Sequence, residues 1–178
     1  MTHYRKKCYI FEGPKKCAKC GISRQFRRKF IMIKVLFICH GNICRSTLAQ
    51  SIFTHLVHRQ HLDAVFEIDS AATSREEIGN PPHYGTKNKL YEEHIPLIPH
   101  RARQMTRDDY LYYDFLIGMD TANIRNMTRI AGGSDSQQKI FKMLSFADYG
   151  TNHKLTAARD VADSSAIIGM RQYFHSAM

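Results

Sequence analysis

The stretch Cys39-His40-Gly41-Asn42-Ile43-Cys44-Arg45-Ser46 separates a thiol from a guanidinium by five residues, with Gly, Asn and Ser among their neighbours. That combination can cradle a phosphate. Backbone N–H groups of a tight turn converge on an anion, and a helix opening behind the turn adds partial positive charge. Gly41 and Asn42 are residue types that accept the left-handed backbone angles such a turn needs. Arg45 carries a planar, permanently charged fork that grips two phosphate oxygens. The same field acts on the thiol, whose ordinary pKa of about 8.5 falls to roughly 3.5–7.5 beside a helix N-terminus and an arginine. Cys39 is therefore expected to be a thiolate nucleophile, with Ser46 donating its hydroxyl to the sulfur. Cys44, if its sulfur comes close, could trap an oxidised Cys39 as a reversible disulfide. A Cys-x5-Arg also arises by chance, and a single buried Cys is usually inert packing, so the reading depends on what flanks the loop. A nucleotide-binding loop is not supported, because no Gly-x4-Gly-Lys-Ser/Thr is present.

The flanks are a strand and a helix. Residues 33–38 are a β-branched and aromatic run, the signature of a buried strand, and Leu48, Ala49, Ile52, Phe53, Leu56 and Val57 recur at helical intervals. Further on, residues 65–69 read as a second strand and 81–93 as a helix opened by prolines. Thr106 and Asp109 form a capping box that starts another helix. Residues 113–119 read as a third strand, the segment after Asp120 as a helix, and 139–146 as a fourth strand. This alternation predicts an α/β fold: a parallel sheet joined by crossovers, with helices on both faces. Open sheets of this kind bind ligands beyond the carboxyl ends of their strands, where Cys39 sits.

Composition bounds the rest. The 178 residues suffice for one domain with a real core, and the 43% apolar share suits a globular protein. No run approaches the roughly 20 apolar residues of a membrane span, and the polar, basic start lacks the apolar stretch of a secretory signal. The net charge of +10 is lopsided: residues 1–31 hold ten Lys or Arg against the single acid Glu12, while residues 32–178 balance 16 basic against 15 acidic residues. The basicity thus belongs to an N-terminal extension, read as disordered, and no nucleic-acid partner is expected from the domain itself. Cys17 and Cys20 with Cys8 and His3 make only a weak zinc pattern, since one Cys pair stands where two are usual, and a tether to RNA or membrane is a second alternative for this extension. Met32 directly precedes the first strand, so translation could begin there. Cysteines cease after Cys44, unlike a secreted disulfide framework, which points to a reducing cytoplasm.

With these residues in view, the sequence resembles the low-molecular-weight protein tyrosine phosphatases. Residues 35–46 are similar to the family's opening strand and signature loop, with Thr47 where Pro is usual. Asp69-Ser70-Ala71-Ala72, His100-Arg101-Ala102-Arg103-Gln104-Met105 and Gly118-Met119-Asp120 match further family blocks in order, and the likeness covers about residues 33–163. It implies a three-layer fold with a four-stranded parallel sheet, and hydrolysis of phosphate monoesters through a phosphocysteine intermediate without metal or cofactor. The implied substrate is a phosphotyrosine-containing protein, and the implied state a monomer or weak dimer. By this resemblance Cys39 is the nucleophile, Arg45 binds the phosphoryl group and Ser46 activates the sulfur. His40, Gly41, Asn42, Ile43 and Cys44 complete the substrate loop, with Asn42 holding its shape through Ser70 and His100. Without the resemblance, Ser70 would read as a strand-end turn residue and His100 as a surface histidine. His40 reads as a rim residue, and Ile43 as an apolar wall that suits an aryl substrate better than the Thr of phosphoarginine-directed relatives.

The leaving oxygen needs a proton, and a positioned acid contributes typically 10²–10⁴-fold. The family supplies it from an Asp followed by Pro and aromatic residues. Here Asp163 aligns with that acid, while Asp148 and Asp160 read as loop charges or helix caps. Ser164 and Ser165 replace the Pro and aromatic, removing a rigid φ and a stacking wall. Only fifteen residues follow Asp163, so a shortened, atypical C-terminal end is expected, with Ile167, Met170 and Phe174 along one face of a short helix or else unrelated sequence. Two alternatives follow: a catalytically impaired phosphate-binding protein of the same fold, or an arsenate reductase. The reductase would need resolving thiols beyond the loop, and no Cys follows position 44.

Overall fold

A computed structural model of the chain describes residues 32–146, 160–162 and 167. Among the described residues the main elements run β1 (Ile33–Cys39), α1 (Arg45–Arg59), β2 (Phe66–Ala72), α2 (Tyr84–Glu92), α3 (Arg107–Tyr112), β3 (Phe115–Gly118), α4 (Thr121–Ile130) and β4 (Ile140–Lys142). The strands form one parallel sheet in the order β2-β1-β3-β4. The register pairs Cys39 with Ala72 and Ile38 with Gly118, so the carboxyl ends of the three left-hand strands meet at one edge of the sheet.

From Val35 to Cys39 β1 is apolar and buried, because both of its faces are covered there. Side chains alternate along a strand, and the alternation divides the core in two. Val35, Phe37 and Cys39 pack with Leu48, Ala49, Ile52 and Leu56 of α1 and Leu90 of α2. Leu36 and Ile38 face the other way, against Tyr110 of α3 and Met127 of α4. This is the three-layer arrangement expected. Phe37 is fully buried, and its truncation to Ala would cost about 3–5 kcal/mol. Gly118 lets α4 approach β3: a Cβ there would lie 2.9 Å from Met127 Sδ. Ile167, expected on an apolar helix face, is helical and fully buried in the first cluster.

Several boundaries differ from expectation for local reasons. The second strand begins one residue later and runs on through Ala72, because its ladder with β1 continues to Cys39. Pro81 and Pro82 lie ahead of α2 rather than inside it. His83 is the N-cap, extended at φ −56° and ψ 147°, with a ring nitrogen accepting from the Gly85 N–H. The third strand is trimmed to Phe115–Gly118, since Tyr113 serves as the C-cap of α3. The fourth ends at Lys142 opposite Gly118, and the chain turns into a 3-10 turn, Met143–Ser145, that buries Met143. The capping box at Thr106 and Asp109 is present in both directions. The N-terminal extension with its Cys8, Cys17, Cys20 and His3 lies outside the described residues, as do Asp148, Asp163, Ser164, Ser165, Met170 and Phe174. Among the described residues no helix is long and apolar enough to cross a membrane.

Candidate active site

β1 delivers Cys39 to the sheet edge, and α1 begins at Arg45, so residues 40–44 make the turn between them. The turn depends on Asn42, which is fully buried with φ at +59°. Asparagine is among the few residues that visit this region, and its amide repays the strain locally. Asn42 Oδ1 accepts from His100 Nε2 at 2.7 Å and from the Arg103 backbone N–H at 3.1 Å. Asn42 Nδ2 donates to Ser70 Oγ at 2.9 Å and Ser46 Oγ at 3.0 Å. Every one of these partners is either buried or half-buried, so the loop's shape is held from inside the fold.

The direction of each bond follows from one group. A backbone N–H can only donate, so the Arg103 amide makes the facing Asn42 atom the oxygen and the opposite atom the NH2. Ser46 and Ser70 then receive hydrogens from Asn42 and have their own to give elsewhere. The Ser70 hydrogen goes to Gln50 Oε1 at 2.7 Å. Ser46 Oγ lies 3.0 Å from Cys39 Sγ, within reach for its hydrogen once the sulfur is ionised. The Asn42 N–H, 3.2 Å from the same sulfur, is a second donor. An ionised Cys39 Sγ would accept both hydrogen bonds, the arrangement a nucleophilic sulfur needs. His100 fits this as a neutral ring: burial pushes its pKa down, Asp69 draws it partly back up, and Arg103 lowers it again.

The other half of the site holds the guanidinium. Arg45 Nη1 is 2.7 Å from Asp120 Oδ2 and 3.0 Å from the Val161 carbonyl oxygen. Asp120 works twice, because its Oδ1 also accepts from the Asn123 N–H at 2.6 Å and so caps α4. At the opening of α1 the N-cap position, Cys44, offers no side-chain hydrogen bond, and the first turn holds no acid. The leading amides of the helix are left for an anion, as the fold of a phosphate cradle requires. Thr47, where proline is usual in the family, donates its hydroxyl to the Cys44 carbonyl at 2.9 Å.

The other described residues of the sequence-derived set lie around the same loop, while Asp163 lies outside the described residues. His40 is exposed on the rim, with Nε2 3.1 Å from Glu76 Oε2. Gly41 is crowded by Glu77, whose Cγ would stand 3.1 Å from a Cβ there. The Ile43 carbonyl accepts from the His83 N–H at 2.8 Å, tying the loop to the start of α2. Cys44 is a free, half-buried thiol whose pKa burial pushes up. Ser70 and His100 are placed in the buried network around Asn42 and not at the surface. Asp160 caps the loop before α4, accepting from the Thr121 N–H and hydroxyl at 3.0 Å each, and Lys142 helps hold its carboxyl below the usual range.

Sequence reasoning passed over Asp120, Arg103 and Gln50. Asp120 carried a signal: an Asp three residues before Asn123 is an N-cap at the carboxyl end of a strand, the edge where such sheets bind ligands. Arg103 and Gln50 carried none, because each acts through a partner distant in sequence.

Comparison with known proteins agrees with this geometry. The family model described as low molecular weight phosphotyrosine protein phosphatase matches residues 34–176, and the chain belongs to that family. The match runs past residue 163, where the resemblance of the sequence blocks stops. The human low molecular weight phosphotyrosine protein phosphatase is 44% identical over 95 residues, 53% of this chain and 60% of that protein. The chain thus spans about three-fifths of the length of the mammalian relatives it matches. The low molecular weight protein-tyrosine-phosphatase YfkJ of Bacillus subtilis is 38% identical over 117 residues, covering 66% of this chain and 74% of the relative. The crystal structure of YfkJ superposes with a TM-score of 0.70 at 32% identity, over 82% of this chain and 94% of the other.

Proposed function

We propose that this protein hydrolyses phosphotyrosine in proteins through a phosphocysteine intermediate. Cys39 Sγ attacks phosphorus while the Arg45 fork and the leading amides of α1 carry the phosphoryl oxygens. The P–O bond to tyrosine breaks, and Asp163 gives its proton to the departing phenolate oxygen. The same carboxylate then takes a proton from water, which attacks phosphorus and returns the electron pair to sulfur. Ser46, with Oγ 3.0 Å from Cys39 Sγ, donates its hydroxyl to the thiolate both before attack and on departure. The contact of the Val161 carbonyl with Arg45 supports the assignment of Asp163, since it brings the chain to the site two residues before that position. Ile43 at the loop suits an aromatic leaving group. A nucleophile that must remain a free thiol fits a reducing compartment such as the cytoplasm, and Cys39 and Cys44 are both free.

The observation that carries this reading is the convergence of the Ser46 hydroxyl and the Asn42 N–H on one sulfur at an uncapped helix start. Turnover of p-nitrophenyl phosphate tests it. The wild type is expected to turn over and to be inhibited by vanadate, while Cys39→Ser is expected to be inactive yet to retain phosphate binding. A wild type no faster than Cys39→Ser would leave a phosphate-binding protein and remove the enzyme.

A further inference from the structure

Gln50 lies on α1, one turn beyond Ser46, and is 5% exposed. A long amide side chain is buried there only if its polar atoms are used. Its Oε1 takes the Ser70 hydroxyl hydrogen at 2.7 Å, the shortest contact it makes. Its Nε2 lies 3.5 Å from Asp69 Oδ1 and from the Ile68 carbonyl oxygen. Asp69 Oδ2 in turn accepts from Arg103 Nε and Nη2 at 3.1 and 2.8 Å. The Arg103 backbone N–H donates to Asn42 Oδ1, and Asn42 Nδ2 donates to Ser70 Oγ. Gln50, Ser70, Asn42, Arg103 and Asp69 therefore close a ring of hydrogen bonds, and Gln50 is the member that joins its two ends.

We propose that Gln50 is a positioning residue for the nucleophile: by taking the Ser70 hydrogen it keeps Ser70 an acceptor, which pins the Asn42 amide and aims the Ser46 hydroxyl at Cys39 Sγ. The planar amide of Asn42 has two hydrogens at a fixed angle, one for Ser70 and one for Ser46. Without an acceptor at position 50, the Ser70 hydrogen has to find another, and turning it displaces the lone pair that Asn42 uses. Once the amide is free to pivot, Ser46 no longer has to receive a hydrogen from Asn42 and its own is free to leave the sulfur. Gln50 touches neither phosphate nor sulfur, so its effect falls on the rate of the chemical step and leaves anion binding in place.

The inference rests on Cys39 being the nucleophile, and the experiment separates the two. Gln50→Leu and Gln50→Met remove the acceptor, and Gln50→Glu keeps one. Three quantities are read on folded protein: kcat and KM for p-nitrophenyl phosphate, and the rate at which iodoacetamide alkylates Cys39 at neutral pH, located by peptide mass. The Leu and Met variants are expected to lose about tenfold in kcat and in alkylation rate with KM within about twofold, and Glu to restore both to within about threefold. Loss of thermal stability in the Leu and Met variants with unchanged kcat and alkylation rate would overturn the proposal, as would failure of Glu to restore them. If Leu and Met do not fold, Glu and wild type against Gln50→Ala carry the same comparison. A wild type without phosphatase activity would instead sink the enzyme reading, and the alkylation rates would still report on Gln50.

Discussion

The two halves of the cradle are built differently. The sulfur half is buried and held by neutral groups: Asn42, Ser46 and Ser70 have no exposed surface, and the Asn42 side chain alone makes four hydrogen bonds. The guanidinium half is an ion pair with both side chains 20% exposed, supported by one carbonyl from a distant segment. The difference follows from what each half must do. The sulfur has to stand at one point in an unchanging field, and a satisfied buried network is stiff because any rotation strands a donor. The arginine has to receive phosphate oxygens, and a partly exposed pair can rearrange without leaving a charge stranded in the core.

Substitutions on each side should therefore differ in kind as well as size. Cys39→Ser is expected to have the largest effect, reducing p-nitrophenyl phosphate turnover to background because the proposed attacking atom is gone. Asp163→Ala is expected to lower kcat by about 10²–10⁴-fold while phosphate still competes at its wild-type concentration, measured by steady-state inhibition. An unchanged rate would mean that another group handles the proton or that neither chemical step limits turnover. Asn42→Ala tests the sulfur half: four hydrogen bonds go and Ala must hold φ at +59°, so stability is expected to fall by about 2–4 kcal/mol in urea unfolding and kcat by about 10²-fold. Asp120→Asn tests the guanidinium half. Asn caps a helix as well as Asp, so stability should stay within about 0.5 kcal/mol, while turnover falls about tenfold as Arg45 loses its charged partner. Equal losses of stability in these last two variants would erase the contrast. Thr47→Pro is the smallest: the first turn of a helix tolerates proline, and loss of the hydroxyl bond to Cys44 should cost no more than about 1 kcal/mol with activity retained.

The cradle was legible from eight consecutive residues because its chemistry is local: a turn needing left-handed angles, a thiol at the end of a strand, an arginine opening a helix. The strands were legible for a similar reason, since β1 buries both faces from Val35 to Cys39 and shows it as an apolar run there. Their ends were less so. β4 stops at Lys142 because β3 offers no partner past Gly118, and nothing in residues 139–146 themselves encodes that limit. Ser70 and His100 were found only through the family likeness, because a strand-end serine and a loop histidine look ordinary until Asn42 is seen between them.

Residue order alone determined the groups of the loop from Cys39 to Ser46, since turn conformation, helix start and thiol chemistry act over a few bonds of chain. Tertiary structure decided how they are aimed. Placing β1 between β2 and β3 brings Asn42 against Arg103 and Arg45 against Asp120. Hydrogen bonds between residues 61 and 75 positions apart exist only once the sheet has set their distance, because a bond works within a few tenths of an ångström and sequence spacing carries no such length.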